Sequence, residues 1–144
     1  MQAKTEIITI IKSMKRSKGC SIRVLIVDDN PHSRKGLCAL LSTQIKLCAI
    51  IEAKNGLEAI DAVEHHPLDL IVMDLQMPEM NGTDAIRQIK QSHPHLPVLA
   101  LTLYPDYREE AMEAGADSFL VKGCSSDELL HTIMTLAMDP KQVI

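Results

Sequence analysis

The sequence predicts an α/β domain: a doubly wound, five-stranded parallel β-sheet with helices on both faces. Three observations predict it. Five short apolar runs recur along the chain, segments with helical period separate them, and cap and turn signals stand at the junctions. The runs are Val24–Val27, Leu47–Ile51, Leu70–Met73, Val98–Leu101 and Ser118–Val121. They are nearly continuous rather than alternating, as strands buried on both faces of a parallel sheet must be.

In chain order, the first run is followed by Asn30-Pro31, an N-cap with proline at the first helical position. Leu37, Leu40 and Leu41 then share a helical face. After the second run, Asn55-Gly56 reads as a turn, and Leu57, Ile60 and Val63 line the next helix. After the third, Asn81-Gly82 marks another turn, and Ile86 and Ile89 repeat at helical spacing. Pro97 stands just before the fourth run, where a missing N–H costs little. Gly115 follows Ala111–Ala114 as a helix C-terminal glycine would. Leu129, Leu130, Ile133, Met134 and Ala137 form the longest stripe after the fifth run. The alternation covers about residues 22–138.

A chain of 144 residues fits one domain, and 46% hydrophobic with 24% charged residues excludes a disordered one. A net charge of −4 and 2% aromatics supply neither the basic field nor the stacking platforms of a nucleic-acid binder. The first twenty residues are the exception in sign, with Lys4, Lys12, Lys15, Arg16 and Lys18 against Glu6. No apolar run approaches a membrane span and no signal peptide is legible, so a cytoplasmic protein is expected. Cys20, Cys38, Cys48 and Cys124 show no C-x-x-C spacing and read as reduced residues rather than a zinc or redox site.

Open parallel sheets carry their sites at the carboxyl ends of the strands. Here the first strand ends in Asp28-Asp29, the third in Asp74, the fourth in Thr102 and the fifth in Lys122. Each alone reads as a helix cap or a solvated strand end; together they converge on one crevice. Three carboxylates repel unless cations intervene. Lys122 supplies one positive charge, and Mg2+, which favours a few carboxylates plus phosphate oxygens, would supply two more. The residues themselves therefore point to a magnesium-dependent phosphoryl site. His32, His65, His66, His93, His95 and His131 read as surface or loop residues, and Met77 and Met80 as loop packing beside the crevice.

Taken in order, Val-Asp-Asp at 27–29, Asp-Leu-Gln-Met-Pro at 74–78, Met-Asn-Gly at 80–82, Leu-Thr at 101–102 and Gly-Ala-Asp-Ser-Phe-Leu-Val-Lys at 115–122 resemble the CheY-like receiver domain of two-component response regulators. Arg34-Lys35-Gly36 followed by Leu-Cys-Ala-Leu-Leu, and glycine rather than proline after Lys122, look most like the NarL/FixJ-type subfamily. The resemblance implies a (βα)5 fold with strand order 2-1-3-4-5, a receiver domain at 21–138, a basic extension at 1–20 and a tail at 139–144.

It also implies roles. Asp74 would accept a phosphoryl group from a sensor histidine kinase or phosphotransfer protein. Asp29, Asp74 and the Gln76 backbone carbonyl would ligate Mg2+, with Asp28 holding metal-bound water. Thr102 and Lys122 would hold phosphoryl oxygens. Thr102 and Phe119 would switch together, Phe119 turning inward into the space Thr102 vacates. The Gln76 and Tyr104 side chains would tune water access to the acyl phosphate, the bulk of Tyr104 slowing hydrolysis. Partners would be the phosphodonor and, on phosphorylation, a second copy of the chain, with no direct contact to nucleic acid or membrane.

A Mg2+-dependent phosphohydrolase with an aspartyl-phosphate intermediate is the competing reading; its usual D-x-D pair is missing, because Asp28 and Asp29 are adjacent. A nucleotide- or flavin-binding domain fails for want of a glycine-rich phosphate loop. No DNA-binding module fits in the residues after Lys122, which leaves a stand-alone receiver or the receiver part of a longer transcription regulator. Two further expectations concern backbone. Ile7, Ile8, Ile11 and Met14 fall near one face of a short N-terminal helix. The Lys122–Gly123 peptide is expected to be cis, as the family's Lys–Pro bond usually is.

Overall fold

A computed structural model describes residues 22–138. The predicted N-terminal helix, Cys20 and the tail lie outside the described residues. Five parallel strands form one sheet in the order β2-β1-β3-β4-β5. They are β1 (Ile22–Val27), β2 (Leu47–Ala53), β3 (Leu70–Met73), β4 (Val98–Thr102) and β5 (Ser118–Val121). The helices between and after them are α1 (Pro31–Gln44), α2 (Gly56–His65), α3 (Gly82–Ser92), α4 (Arg108–Ala114) and α5 (Ser126–Ala137), with a 3-10 turn at Pro105–Tyr107 leading into α4. This is the doubly wound arrangement the sequence predicts.

The continuous apolar runs now have a reason. Leu25, Val27, Ile71, Met73, Val98 and Ala100 face one way, onto Ala59, Ala62 and Val63 of α2, Ile86 and Ile89 of α3, and Ala111 and Ala114 of α4. Their neighbours Val24, Ile26, Leu70, Val72, Leu99 and Leu101 face the other way, onto Leu41 of α1 and Leu129, Leu130, Ile133 and Met134 of α5. Each such aliphatic side chain contributes about 1.5–3 kcal/mol by leaving water, so β1, β3 and β4 anchor the domain. The edge strands differ. β2 is half-buried over Leu47–Ile51, and β5 is half-buried except at Phe119. Two-sided burial therefore holds for three strands of the five.

The helix starts correct one sequence reading. Asn55 and Asn81 are N-caps, not turn residues: their side chains accept from the N–H of Glu58 and Asp84, and Gly56 and Gly82 open α2 and α3. Asn30 caps α1 through His32 and Ser33, with Pro31 in the first turn as expected, and Ser125 caps α5. Each cap contributes about 1 kcal/mol. The face of α2 is also narrower than its period suggests. Ala59, Ala62 and Val63 are buried, whereas Leu57 is 52% exposed. Cys38 and Cys124 are half-buried free thiols packed against the core, and burial pushes their pKa up. Cys48 on the edge strand β2 is disulfide-bonded, against the expectation of reduced cysteines throughout.

Candidate functional site

The site grows out of the sheet's hydrogen bonding, which runs one residue past the strands. Asp28 N–H donates to the Ala53 carbonyl at 3.1 Å, Asp74 N–H to Val27 at 2.9 Å, and Lys122 N–H to Thr102 at 2.7 Å. The ladder thus delivers these residues to one edge in fixed register. Asp28, Asp29 and Asp74 each place a carboxylate oxygen within 4.8 Å of the others, and no other such acidic, histidine or cysteine group occurs among the described residues.

The three acids are held differently. Asp28 is buried and bonded on both oxygens, accepting from Asn30 N–H at 2.9 Å and from Lys122 Nζ at 2.9 Å. Asp29 is exposed. Asp74 is buried, 3.5 Å from Lys122 Nζ, with a long contact from Gln76 N–H at 3.4 Å. Its pKa rises from 3.8 to about 6: burial raises it most, Lys122 pulls the other way, and Asp28 and Asp29 add repulsion. Burial also works against the Lys122 charge, but the Asp28 and Asp74 carboxylates outweigh it and hold its pKa above the ordinary lysine value. One ammonium for three carboxylates leaves the cluster under-compensated. The donors are hard oxygens, and a hard divalent cation fits them.

Thr102 is fully buried at the end of β4, its Oγ1 accepting a long bond from Tyr104 N–H at 3.4 Å. Phe119 already packs in the core, with the Arg108 guanidinium carbon 5.7 Å from its ring centre. Gln76 and Tyr104 both expose their side chains beside the crevice, and Tyr104 meets Tyr107 edge to face at 6.0 Å between ring centres. Met77 and Met80 pack as loop residues against the core. None of the six histidines enters the acidic cluster.

One expectation fails. No cis peptide occurs among the described residues, so Lys122–Gly123 is trans. A non-proline cis bond costs about 2.5–4 kcal/mol. Gly123 instead reverses the chain at φ 100°, open to glycine, and Cys124 N–H closes the turn onto Val121 at 3.1 Å.

Four residues near the site were not singled out by sequence. Ser33 Oγ lies 3.5 Å from Lys122 Nζ. Arg34 donates to the Asp28 carbonyl at 2.7 Å and pairs with Glu52 at 2.9 Å. Asn55 donates to Glu79 at 2.9 Å. Arg34 lay inside a quoted motif and Asn55 inside a quoted Asn-Gly pair; Ser33 and Glu79 carried no signal, because their partners are remote in sequence.

Residues 24–134 match the response regulator receiver domain. The chain is 42% identical over 113 residues to the transcriptional regulatory protein YdfI of Bacillus subtilis, covering 77% of this chain and 53% of that protein. It is 37% identical over 114 residues to the response regulator protein VraR of Staphylococcus saprophyticus, covering 78% and 54% respectively. The chain therefore spans about half the length of these curated relatives. Among solved structures, a LuxR-family two-component response regulator from Aurantimonas superposes with TM-score 0.76 at 29% identity, over 81% of this chain and 84% of that one. The response regulator TrrA of Thermotoga maritima, solved in complex with Mg2+ and BeF, gives 0.75 at 30%, over 80% and 98%.

Proposed function

The chain belongs to the response regulator receiver family, and we propose on that footing that Asp74 is its phosphoacceptor. The observation that carries this reading is the placement of Asp74: a buried carboxylate 3.5 Å from a lysine, inside a cluster of three acids at the sheet's carboxyl edge. The domain is taken as 21–138, with 1–20 and 139–144 outside it.

The transfer balances simply. A carboxylate oxygen of Asp74 attacks the phosphorus of a phosphohistidine; the new O–P bond forms as the P–N bond breaks. The electron pair returns to the imidazole nitrogen, which takes up a proton. A carboxylate is a weak nucleophile, so most of the acceleration must come from alignment and charge compensation. Asp29, Asp74 and the Gln76 carbonyl would hold Mg2+, with Asp28 bonding its water. When bound, the ion supplies the positive charge that lets a phosphate approach three acids.

Lys122 is held by Asp28 2.9 Å away and reaches Asp74, so its ammonium is aimed before any phosphate arrives. Thr102 hydroxyl would turn from its long backbone contact to a phosphoryl oxygen, and Phe119 would settle further into the space left. Phosphorylation then stabilises a conformation already accessible to the domain. Exposed Gln76 and Tyr104 would govern water access to the acyl phosphate. The phosphodonor would be a cytoplasmic sensor kinase or phosphotransfer protein, and phosphorylated chains would pair. No described helix is long and apolar enough to cross a membrane.

Incubation with phosphoramidate and Mg2+ tests the assignment by intact mass. One phosphoryl group is expected on the wild type, none on Asp74→Asn and none with EDTA. Asp29→Ala should label slowly, and Lys122→Ala should label yet fail to dimerise. Labelling of Asp74→Asn, or labelling indifferent to EDTA, overturns the assignment.

A further inference from the structure

Glu79 is the one non-glycine residue with positive φ among those described, at 68°. That backbone region disfavours any residue with a Cβ. Glu79 sits there as the centre of a γ-turn, closed by Met80 N–H on the Pro78 carbonyl at 2.8 Å, and a tertiary contact holds its side chain. The Glu79 carboxylate accepts from Asn55 Nδ2 at 2.9 Å, and Asn55 is only 5% exposed. The same amide is used twice: its oxygen caps α2 by accepting from Glu58 N–H at 2.8 Å. Beside it, Gly56 N–H donates to the Met80 carbonyl at 3.2 Å. The start of α2 therefore grips the loop between β3 and α3 at two adjacent points.

That loop is closed on itself. Met80 N–H bonds the Pro78 carbonyl at 2.8 Å, and Gly82 N–H bonds the Leu75 carbonyl at 3.0 Å. Its first residues are Asp74 and Gln76. A grip at residues 79 and 80 thus fixes the far side of a ring whose near side carries the acceptor and the carbonyl assigned to the metal.

We propose that Asn55 and Glu79 are positioning residues, a latch that sets the β3–α3 loop so that Asp74 and the Gln76 carbonyl bind Mg2+ together. The inference rests on the role given to Asp74 and Gln76 above. Contacts made directly to a metal ligand are worth about 10–100-fold in metal affinity, and a latch one step further out belongs at the lower end of that range.

The two ends of the latch separate cap from grip. Asn55→Asp keeps an oxygen to cap α2 but replaces the donor with a carboxylate facing Glu79. Its added negative charge alone would tighten Mg2+ binding, so a loss must come through the loop and not from that charge acting on the ion. Glu79→Gln removes a charge but keeps an acceptor for Asn55. The double variant Asn55→Asp/Glu79→Gln reverses donor and acceptor. Mg2+ is titrated calorimetrically into each full chain, and amide exchange is followed without metal.

Asn55→Asp should bind Mg2+ about ten-fold more weakly. Its Met80 and Gly82 amides should exchange faster while Ala59 stays protected. Glu79→Ala should do the same without touching the cap. Glu79→Gln and the double variant should lie within about two-fold of the wild type. If the wild type binds Mg2+ and Asn55→Asp and Glu79→Ala match it in affinity and loop exchange, the latch is overturned. If the wild type itself binds no Mg2+, the metal assignment fails first.

Discussion

The two halves of the crevice are built to different standards. On the acidic side, the loops after β1 and β3 are tied down at several points, by Asp28 to Ala53, Asn30 to Asp28, Asp74 to Val27, Gly82 to Leu75 and Asn55 to Glu79. On the other side, the segment after β4 is held more sparsely, by Tyr104 to Thr102 at 3.4 Å, Tyr107 to Tyr104 at 3.3 Å, Arg108 to Pro105 and the packing of Tyr107 on the core. Its 3-10 turn has no side-chain cap, and Leu103 stands 61% exposed. A groove of about 610 Å³ opens next to it, floored by Phe119 and Val121 and flanked by Arg108 and Glu128. Aligning a weak nucleophile needs a rigid frame. Reporting the result needs an element that two arrangements satisfy almost equally. On the proposed reading, the closely bonded side of Asp74 would serve the first need and the sparsely bonded side the second.

The rigid side should break hardest at Gly82. A Cβ there would collide with the Asp74 carbonyl oxygen, which is backbone and cannot step aside. Gly82→Ala should cost about 3 kcal/mol, the upper range for overpacking, and urea denaturation reads it directly. A cost below about 1 kcal/mol would mean that the loop yields, and the contrast between the two halves would disappear.

Asp74 itself should show the strain of burial beside two other carboxylates and a single ammonium. Its folded pKa of about 6 lies above the ordinary 3.8, so the metal-free fold binds a proton that the unfolded chain releases. Stability from this group is full below about pH 4 and is lost as pH rises through about 6. Asp74→Asn should therefore be more stable than the wild type at neutral pH, by about 1 kcal/mol after allowance for solvent screening, and equal to it in acid. Denaturation curves at the two pH values check the sign. Saturating Mg2+ should narrow the gap at neutral pH by stabilising the wild type.

The comparison also explains what the sequence could disclose. Asp28, Asp29, Asp74, Thr102 and Lys122 were legible because each ends an apolar run, and a parallel sheet brings run ends to one edge. The strand order followed only from the family resemblance, since apolar runs do not say which strands are neighbours. Asn55-Gly56 and Asn81-Gly82 were misread because an asparagine oxygen accepting a nearby N–H serves a turn and an N-cap alike. Leu57 was misplaced because periodicity shows which residues share a face and not how wide its buried part is. The trans Lys122–Gly123 bond and the Glu79–Asn55 contact depend on how a loop closes in three dimensions, which spacing does not encode.

The smallest structural effects should come from the loose side, and there the functional effect should run opposite to the structural one. Tyr104 is half exposed, touches Tyr107 only edge to face, and belongs to a turn with no capping side chain. Removing it leaves no buried cavity and no unpaired buried donor, so Tyr104→Ala should change stability by no more than about 0.5 kcal/mol. On the proposed reading the same side chain, two residues past Thr102, would restrict the approach of water to a phosphoryl group on Asp74. Tyr104→Ala should therefore shorten the lifetime of the acyl phosphate several-fold while leaving its rate of formation unchanged. Loss of label after removal of phosphoramidate measures the first, and the initial labelling rate the second. An unchanged lifetime would remove Tyr104 from the reaction. A stability loss above about 1 kcal/mol would show that the loop is held more firmly than its few contacts indicate.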